Sequence, residues 1–238
     1  MKWDYIIGNF CEKKIWGSHP EWLNCLSCFF ISYIPFIGLR YSKINSETIK
    51  NILSFLFIGG FTAFLYHWNG YYISKHLDEV PMILSIWLGL KKILSINNLN
   101  IYFQYILNIY FVLLISINSI PNFDNYFPIL FTLPCLLLIP LLLKYYICMK
   151  HTCKNEKILI GKHICFKGML LSIIGALSWV LSENYCHPLM ILGHSLWHIF
   201  FSLGMFYILT SIDYMEQIKD NIEVNIEYYY DIPLLIYY

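Results

Sequence analysis

Two histidines, His194 and His198, lie four residues apart in the apolar stretch 191–204, ILGHSLWHIFFSLG. On a helix, side chains at this spacing project from the same face about one turn apart, as two ligands of one metal ion must. A single buried histidine is usually structural, but polar groups at membrane depth are costly and tend to face a cavity, a partner or an ion. The pair therefore predicts a metal or polar site within a membrane helix.

The composition is that of a membrane protein. Of the 238 residues, 58% are hydrophobic and 13% are charged, and the mean hydropathy is +0.56. Soluble domains carry about twice that share of charged residues. The formal net charge is +1, and the basic residues form no dense patch with interleaved aromatic side chains, which excludes a nucleic-acid-binding class.

Apolar stretches of membrane length recur along the whole chain. A membrane helix needs roughly 20 apolar residues to cross about 30 Å of hydrocarbon. We therefore predict an all-α membrane protein, a bundle of seven transmembrane helices with short loops and a single domain over 1–238. The predicted spans are 22–40, 51–68, 79–96, 101–120, 125–147, 165–182 and 189–211.

The distribution of Lys and Arg predicts the orientation. Segments 40–50, 91–100 and 144–167, together with the tail, hold twelve of the sixteen basic residues. The positive-inside rule then places the N-terminal segment on the non-cytosolic side and the tail 212–238 in the cytosol. The end of the second span and the start of the seventh consequently share the non-cytosolic side.

His67 is a third candidate ligand. It lies near the end of the second predicted span, in GGFTAFLYHWNG, at the same membrane boundary as His194 and His198. Three imidazoles could hold Zn²⁺, because hydrolytic zinc sites use three protein ligands and an open position. His67 could equally be an interfacial residue like His76, and spacing does not decide between the two.

Asp78 follows at the start of the third predicted span, in HLDEVPM. A carboxylate at this boundary could take the proton of a water activated by the metal. It could also be an N-cap, because Asp is favoured at a helix start and Pro81 is three residues on. The two roles are compatible.

Several motifs in register resemble one known family. GGFTAFLYH, HLDEVPM and GHSLWHIFFSLG are similar to motifs of the alkaline ceramidase family, which are seven-helix membrane amidohydrolases. The N-terminal NFCEKKIW and EWLN resemble that family's DWCEEN and EFWN segments, and WVLSENYC resembles its W-x-x-D-x-x-x-C element. Each fragment is short, but together they run in order from residue 9 to about 204.

This resemblance implies zinc-dependent hydrolysis of the ceramide amide bond to a sphingoid base and a fatty acid. The family's zinc ligands fall on His67, His194 and His198, and its active-site aspartate falls on Asp78. The resemblance also implies that the protein lies in an internal membrane, that of the endoplasmic reticulum or the Golgi, with its N-terminus in the lumen.

One position of the family's active site differs. A serine of the family, four residues before the first zinc histidine, is Ala63 here. The neighbouring Thr62 lies on a different helical face from His67 and is a poor substitute. A missing hydroxyl of this kind could cost a few kcal/mol of barrier, by analogy with a deleted oxyanion donor.

The family's calcium site is only partly matched. Its ligands correspond to Asn9, Phe10, Glu12, Lys14 and Glu21. Asn9 in place of an aspartate removes a negative charge, and Lys14 replaces an oxygen ligand by an ammonium. Both changes weaken a hard-oxygen site, and the Lys14 ammonium could bridge the two glutamates in place of the ion.

The cysteines divide between the two sides of the predicted bundle. Cys11 and Cys186 match two cysteines of the family and fall on the oxidising side, so the resemblance implies a disulfide between them. Cys25 and Cys28 form C-x-x-C inside the first span, where packing is a better interpretation than a redox pair.

Two other functions remain open. Ala63 would fit a non-catalytic or receptor-like member of the wider seven-helix group that shares a three-histidine zinc site. A transporter with a histidine-lined pathway is the other hypothesis, but the sequence has no matching pair of interrupted half-helices to support it. The CEKKIW and EWLN elements favour the ceramidase branch.

Overall fold

The computed structural model describes residues 10–17, 19–98, 101–120, 126–152 and 156–237. Within these residues the chain forms one short helix, seven long helices and a C-terminal β-hairpin. The helices are α1 Cys11–Trp16, α2 Trp22–Tyr41, α3 Glu47–Asn69, α4 Tyr72–Ile96, α5 Ile101–Asn118, α6 Phe127–Thr152, α7 Glu156–Asn184 and α8 Gly193–Lys219. A 3₁₀ turn, Pro188–Met190, precedes α8, and the strands are β1 Asn225–Tyr229 and β2 Ile232–Ile236.

The seven long helices follow the seven predicted stretches, and α6 stays one helix although it contains Pro134 and Pro140. In the described part of the chain, five helices, α2, α3, α6, α7 and α8, are long and apolar enough to cross a membrane. The structure does not confirm the count of seven spans, because α4 has charged residues towards both ends and the apolar part of α5 is short.

Large apolar side chains cover the outside of the helices as well as the core. Exposed examples are Phe29, Phe61, Ile109, Leu136 and Leu177. A soluble monomer rarely exposes this much apolar surface, whereas lipid solvates it. The helices are therefore compatible with a multi-pass membrane protein.

A tight turn joins α3 to α4. Gly70 ends α3 with a φ of 65°, and its amide donates to the carbonyl of Tyr66 at 2.7 Å. The Asn69 side chain then accepts hydrogen bonds from the Tyr71 amide, at 2.8 Å, and from the Ser74 hydroxyl, at 2.6 Å. The turn therefore needs few residues, and α4 begins at Tyr72 rather than at the predicted residue 79.

This early start corrects the N-cap interpretation of Asp78. The N-cap of α4 is Tyr71, and Asp78 lies well inside the helix. Pro81 is also internal. The sequence pattern misled because Asp and Pro commonly mark a helix start, whereas here Asn69 at the turn accepts the amide of Tyr71, the N-cap residue.

α7 and α8 pack backbone against backbone. Gly161, Gly168 and Gly175 recur every seven residues on α7 and meet α8. A Cβ at Gly168 would lie 2.8 Å from the carbonyl oxygen of Gly204, and one at Gly175 would lie 2.9 Å from the amide nitrogen of Phe201. Small residues allow membrane helices this close approach. The contact fixes the register of α8, the helix that carries both histidines of the opening motif.

The C-terminal hairpin is an addition to the predicted all-α fold. β1 and β2 pair antiparallel around Tyr230 and Asp231, whose φ values of 47° and 63° suit a two-residue hairpin turn. The amide of Leu235 donates to the Ser42 hydroxyl at 2.8 Å, and its carbonyl accepts from the Lys43 amide at 2.7 Å. The hairpin thus packs against the end of α2, and α8 runs past residue 211 to reach it.

Candidate metal centre

Three imidazoles meet at one end of the bundle. The ring centres of His194 and His198 are 4.7 Å apart. The ring centre of His67 lies 5.0 Å from that of His194 and 5.2 Å from that of His198. All three side chains are buried. His67 comes from the last turns of α3 and the other two from the first turns of α8, so the turn at Gly70 and the α7–α8 contact place them.

Glu21 orients His67. This glutamate is the N-cap residue of α2, and its Oε2 accepts a hydrogen bond from Nδ1 of His67 at 2.6 Å. An ionised Glu21 can only accept, and Nδ1 of His67 then carries the proton while Nε2 keeps its lone pair. A carboxylate behind a histidine is the usual support for a metal ligand.

Ser27 orients His198. Its hydroxyl donates to the backbone carbonyl of Asn24 at 2.9 Å and lies 2.7 Å from Nδ1 of His198. Because the single hydroxyl proton goes to the carbonyl, the oxygen accepts from Nδ1–H of the imidazole. Nε2 of His198 is therefore also the free acceptor.

His194 has a looser partner. Its Nδ1 lies 3.6 Å from Oε1 of Glu183, which is within ion-pair distance but too far for a hydrogen bond. Both atoms are buried and have no hydrogen-bond partner among the described residues. The ring of Phe10 lies 4.2 Å from the His194 ring and 5.0 Å from the His67 ring. Phe10 therefore covers the histidines with its side chain.

Cys28 joins this cluster, which the sequence analysis did not anticipate. Potential ligand atoms of Cys28, His67 and His198 all lie within 4.8 Å of one another. Cys25 and Cys28 are both buried thiols, so the structure does not pair them. A signal was present: Glu21, Asn24 and Cys28 recur on one face of an otherwise apolar helix.

Asn24 links the surrounding polar groups and was also missed. Its backbone amide donates a hydrogen bond to Oε2 of Glu12 at 3.0 Å. Its side-chain Nδ2 donates to Oε2 of Glu21 at 3.2 Å, and its Oδ1 accepts from the Ser195 hydroxyl at 2.9 Å. The backbone amide and the side chain of this one residue thus connect α1, α2 and α8 around the imidazoles.

Glu12 caps α2 from outside the helix. Its two oxygens accept from the amides of Leu23, at 2.8 Å, and Asn24, at 3.0 Å. Burial raises the pKa of Glu12, and these two hydrogen bonds oppose the rise. Burial likewise raises the pKa of Glu21, opposed by its hydrogen bond from the Asn24 side chain.

The Cys11–Cys186 disulfide fixes α1 in place. The structure contains this bond, which closes a sequence separation of 175 residues. It ties the helix that supplies Glu12 to the loop that leads into α8 and His194. The disulfide that the resemblance implied therefore also serves the histidine cluster.

Several of the predicted calcium ligands already have hydrogen-bond partners in the described residues. Asn9 lies outside the described residues. Both oxygens of Glu12 accept backbone amides, Oε2 of Glu21 accepts from His67, and the Phe10 ring packs on the histidines. Lys14 is exposed, and among the described residues no ion pair joins it to either glutamate. Calcium binding stays a prediction.

Asp78 and Ala63 lie on the two helices beside the cluster. Asp78 is half-buried on α4. Ala63 is buried one turn before His67 on α3. The Thr62 hydroxyl donates to the carbonyl of Gly59 at 3.0 Å, so it is held by its own helix.

The donor set fits zinc. Neutral imidazoles with Nδ1 on an acceptor and Nε2 free are typical zinc ligands, and buried polar atoms without hydrogen bonds surround them, including Oε1 of Glu21 and Nδ1 of His194. The described residues therefore contain a possible metal-binding group, formed by Cys28, His67 and His198, and His194 is not part of this group.

Comparison with known proteins gives the class. The chain belongs to the ceramidase family, whose model matches residues 7–236. It is also similar to a protein of Arabidopsis thaliana named alkaline ceramidase, with 25% identity over 150 residues, covering 60% of this chain and 56% of that protein. The match thus spans little more than half of that relative's length.

Proposed function

We propose that this protein is a zinc-dependent hydrolase that cleaves the amide bond of ceramide to give a sphingoid base and a fatty acid. The observation that carries the proposal is the buried cluster of His67, His194 and His198, with ring centres 4.7–5.2 Å apart. Membership of the ceramidase family supports the substrate class.

The histidines would hold Zn²⁺ through Nε2 as neutral imidazoles. When bound, the ion would polarise the amide carbonyl and lower the pKa of the attacking water to roughly 7. Glu21 and Ser27 keep the Nδ1 protons of His67 and His198 in place, so that both rings present a lone pair.

Asp78 is the proposed general base and acid. It takes one proton from the attacking water, whose oxygen bonds to the acyl carbon, and it delivers a proton to the nitrogen as the C–N bond breaks. The support is its half-buried position on α4, the helix that packs against α3 and follows His67 across the turn at Gly70.

The substrate is a membrane lipid, and the exposed apolar helices support a protein within the bilayer. We propose seven spans, formed by α2–α8, with the N-terminus in the lumen of the endoplasmic reticulum or Golgi and the C-terminus in the cytosol. The excess of basic residues at the loops near residues 40–50, 91–100 and 144–167 supports this orientation.

One observation favours a second function, a non-catalytic zinc-binding membrane protein. Ala63 is buried one turn from His67 where the resembled family has a serine, and the neighbouring Thr62 hydroxyl is bonded to its own helix. No hydroxyl from this turn of α3 then serves the reacting atoms.

The test combines zinc analysis with turnover on a ceramide panel of varied acyl chains. The purified full chain should hold stoichiometric zinc and release free fatty acid. His194→Ala should lose both zinc and hydrolysis, whereas His163→Ala, an exposed histidine on α7, should keep both. Asp78→Asn should keep zinc and lose turnover, with the exposed Asp220→Asn as its control.

Ala63→Ser decides between the two functions. If the wild type is an enzyme that lacks a hydroxyl contact to the oxyanion or to the attacking water, restoring the hydroxyl should raise turnover. If the wild type and Ala63→Ser both hold zinc and hydrolyse no ceramide of the panel, the hydrolase proposal fails and the non-catalytic function replaces it.

A further inference from the structure

The thiol of Cys28 lies inside the histidine cluster, and the hydrolytic roles proposed above do not use it. Its Sγ is 3.7 Å from Nδ1 of His198, and it lies within 4.8 Å of potential ligand atoms of both His198 and His67. The side chain is 1% exposed. The thiol is therefore enclosed with the imidazoles.

Cys25 shows what a packing cysteine looks like in the same helix. It is also buried on α2, three residues earlier, but its Sγ faces α3 and lies 4.0 Å from the carbonyl oxygen of Phe64. Filling space between α2 and α3 explains Cys25. It does not explain a thiol placed among rings whose Nε2 atoms are free.

We propose that Cys28 binds the same ion as the three histidines, as a fourth protein ligand through its thiolate. This inference rests on the zinc site proposed above. Zinc accepts mixed nitrogen and sulfur ligands, and a coordinating thiol gives up its proton, here to solvent. Ligand distances of about 2.0 Å for nitrogen and 2.3 Å for sulfur put tetrahedral neighbours roughly 3.5 Å apart. The potential ligand atoms of Cys28, His67 and His198 already lie within 4.8 Å of one another.

A fourth protein ligand changes the state of the site. Zinc with four protein ligands is closed, whereas hydrolytic zinc keeps one position for water or substrate. With Cys28 bound, the resting site has no such position, and the thiolate must leave before the amide can react. Cys28 therefore makes the resting protein retain its ion more tightly and keeps the site inactive until substrate arrives.

X-ray absorption at the zinc edge tests the ligand directly and needs no assay of activity. The wild-type full chain, loaded with one equivalent of zinc in detergent, should show a sulfur shell at about 2.3 Å beside the nitrogen shell at about 2.0 Å. Cys28→Ala should lose the sulfur shell, and the matched variant Cys25→Ala should keep it. Competition with a chelator should show weaker zinc binding for Cys28→Ala than for Cys25→Ala.

The outcomes separate the two proposals. Stoichiometric zinc with only nitrogen and oxygen neighbours in the wild type overturns the role of Cys28 and leaves the three-histidine site intact. A sulfur shell that survives in Cys28→Ala comes from another cysteine and also overturns it. A wild-type protein that binds no zinc removes the site itself, and the proposed function with it. The wild-type spectrum decides even if Cys28→Ala does not fold.

Discussion

The two ends of the helix bundle each bury a carboxylate for the same structural purpose. At the histidine end, defined by Glu12, Glu21 and the three histidines, Glu12 accepts the first amides of α2. At the opposite end, the Asp213 end, the Asp213 carboxylate accepts the amides of Asn45, at 2.9 Å, and Ser46, at 2.8 Å, just before α3. Both satisfy backbone donors that a helix start leaves unpaired.

The surroundings of the two carboxylates differ. At the Asp213 end, Nε2 of Gln217 donates to Asp213 at 2.6 Å and to the carbonyl of Lys43 at 3.0 Å, which closes the network apart from Oε1 of Gln217. Among the described residues, the buried atoms at the histidine end without a hydrogen bond include Oε1 of Glu21, Oε1 of Glu183 and Nδ1 of His194. At the histidine end these unpaired atoms include groups beside His67 and His194, as expected of a site that can take a ligand.

The disulfide gives the largest expected difference between the two ends. In the chain-entropy model, closing 175 residues stabilises the fold by about 5 kcal/mol. Cys11→Ser with Cys186→Ser should therefore lower the unfolding free energy by several kcal/mol and weaken zinc binding, because α1 would no longer be held. Denaturant titration in detergent with parallel zinc analysis measures both.

Cys165→Ser is the control for this pair, because Cys165 is a buried thiol on α7 outside the disulfide. Its effect should be smaller and confined to stability. Equal stability of the wild type and the double variant would show that the N-terminal segment is not held by this bond.

Glu12→Gln and Asp213→Asn test the comparison with matched chemistry. Each change replaces one carboxylate oxygen by an amide group, which leaves a buried backbone donor unsatisfied at a cost of about 1 to 3 kcal/mol. Both variants should unfold at lower temperature in a thermal scan. Only Glu12→Gln should also lose zinc affinity, by about tenfold, because Glu12 holds Asn24 and Glu21 behind His67.

A loss of zinc affinity in both variants would contradict the distinction between the ends. It would mean that zinc binding follows global stability, and that the unpaired atoms at the histidine end have no special role.

The sequence predicted the parts of this fold that depend on apolar length. Each long helix follows a predicted apolar stretch, and five of the described helices are long and apolar enough to cross a membrane. The grouping of His67 with His194 and His198 was also predictable, from one spacing and the shared membrane side. The start of α4 was not, because it depends on Asn69 at a turn that has no apolar periodicity.

Other features depend on contacts that no local pattern contains. The hairpin turn needs positive φ values at Tyr230 and Asp231. Neither residue is the glycine that usually marks such a turn. The role of Asn24 arises from three partners on three helices. The direction of the Cys28 thiol depends on how α2 is rotated against α8, and C-x-x-C spacing says nothing of that rotation.

Ser27→Ala makes the smallest expected change and tests the histidine end alone. The Ser27 hydroxyl accepts from Nδ1 of His198, so its loss should free the ring to change tautomer or rotate and should weaken zinc binding about tenfold. The control is Ser32→Ala, which removes another buried hydroxyl of α2, one that donates to the carbonyl of Phe57 at 2.8 Å. Ser32→Ala should cost about 1 kcal/mol of stability and leave zinc affinity unchanged. Chelator competition and thermal unfolding of both variants separate the two effects. Equal zinc affinities would show that the hydroxyl beside His198 serves packing and not the ligand.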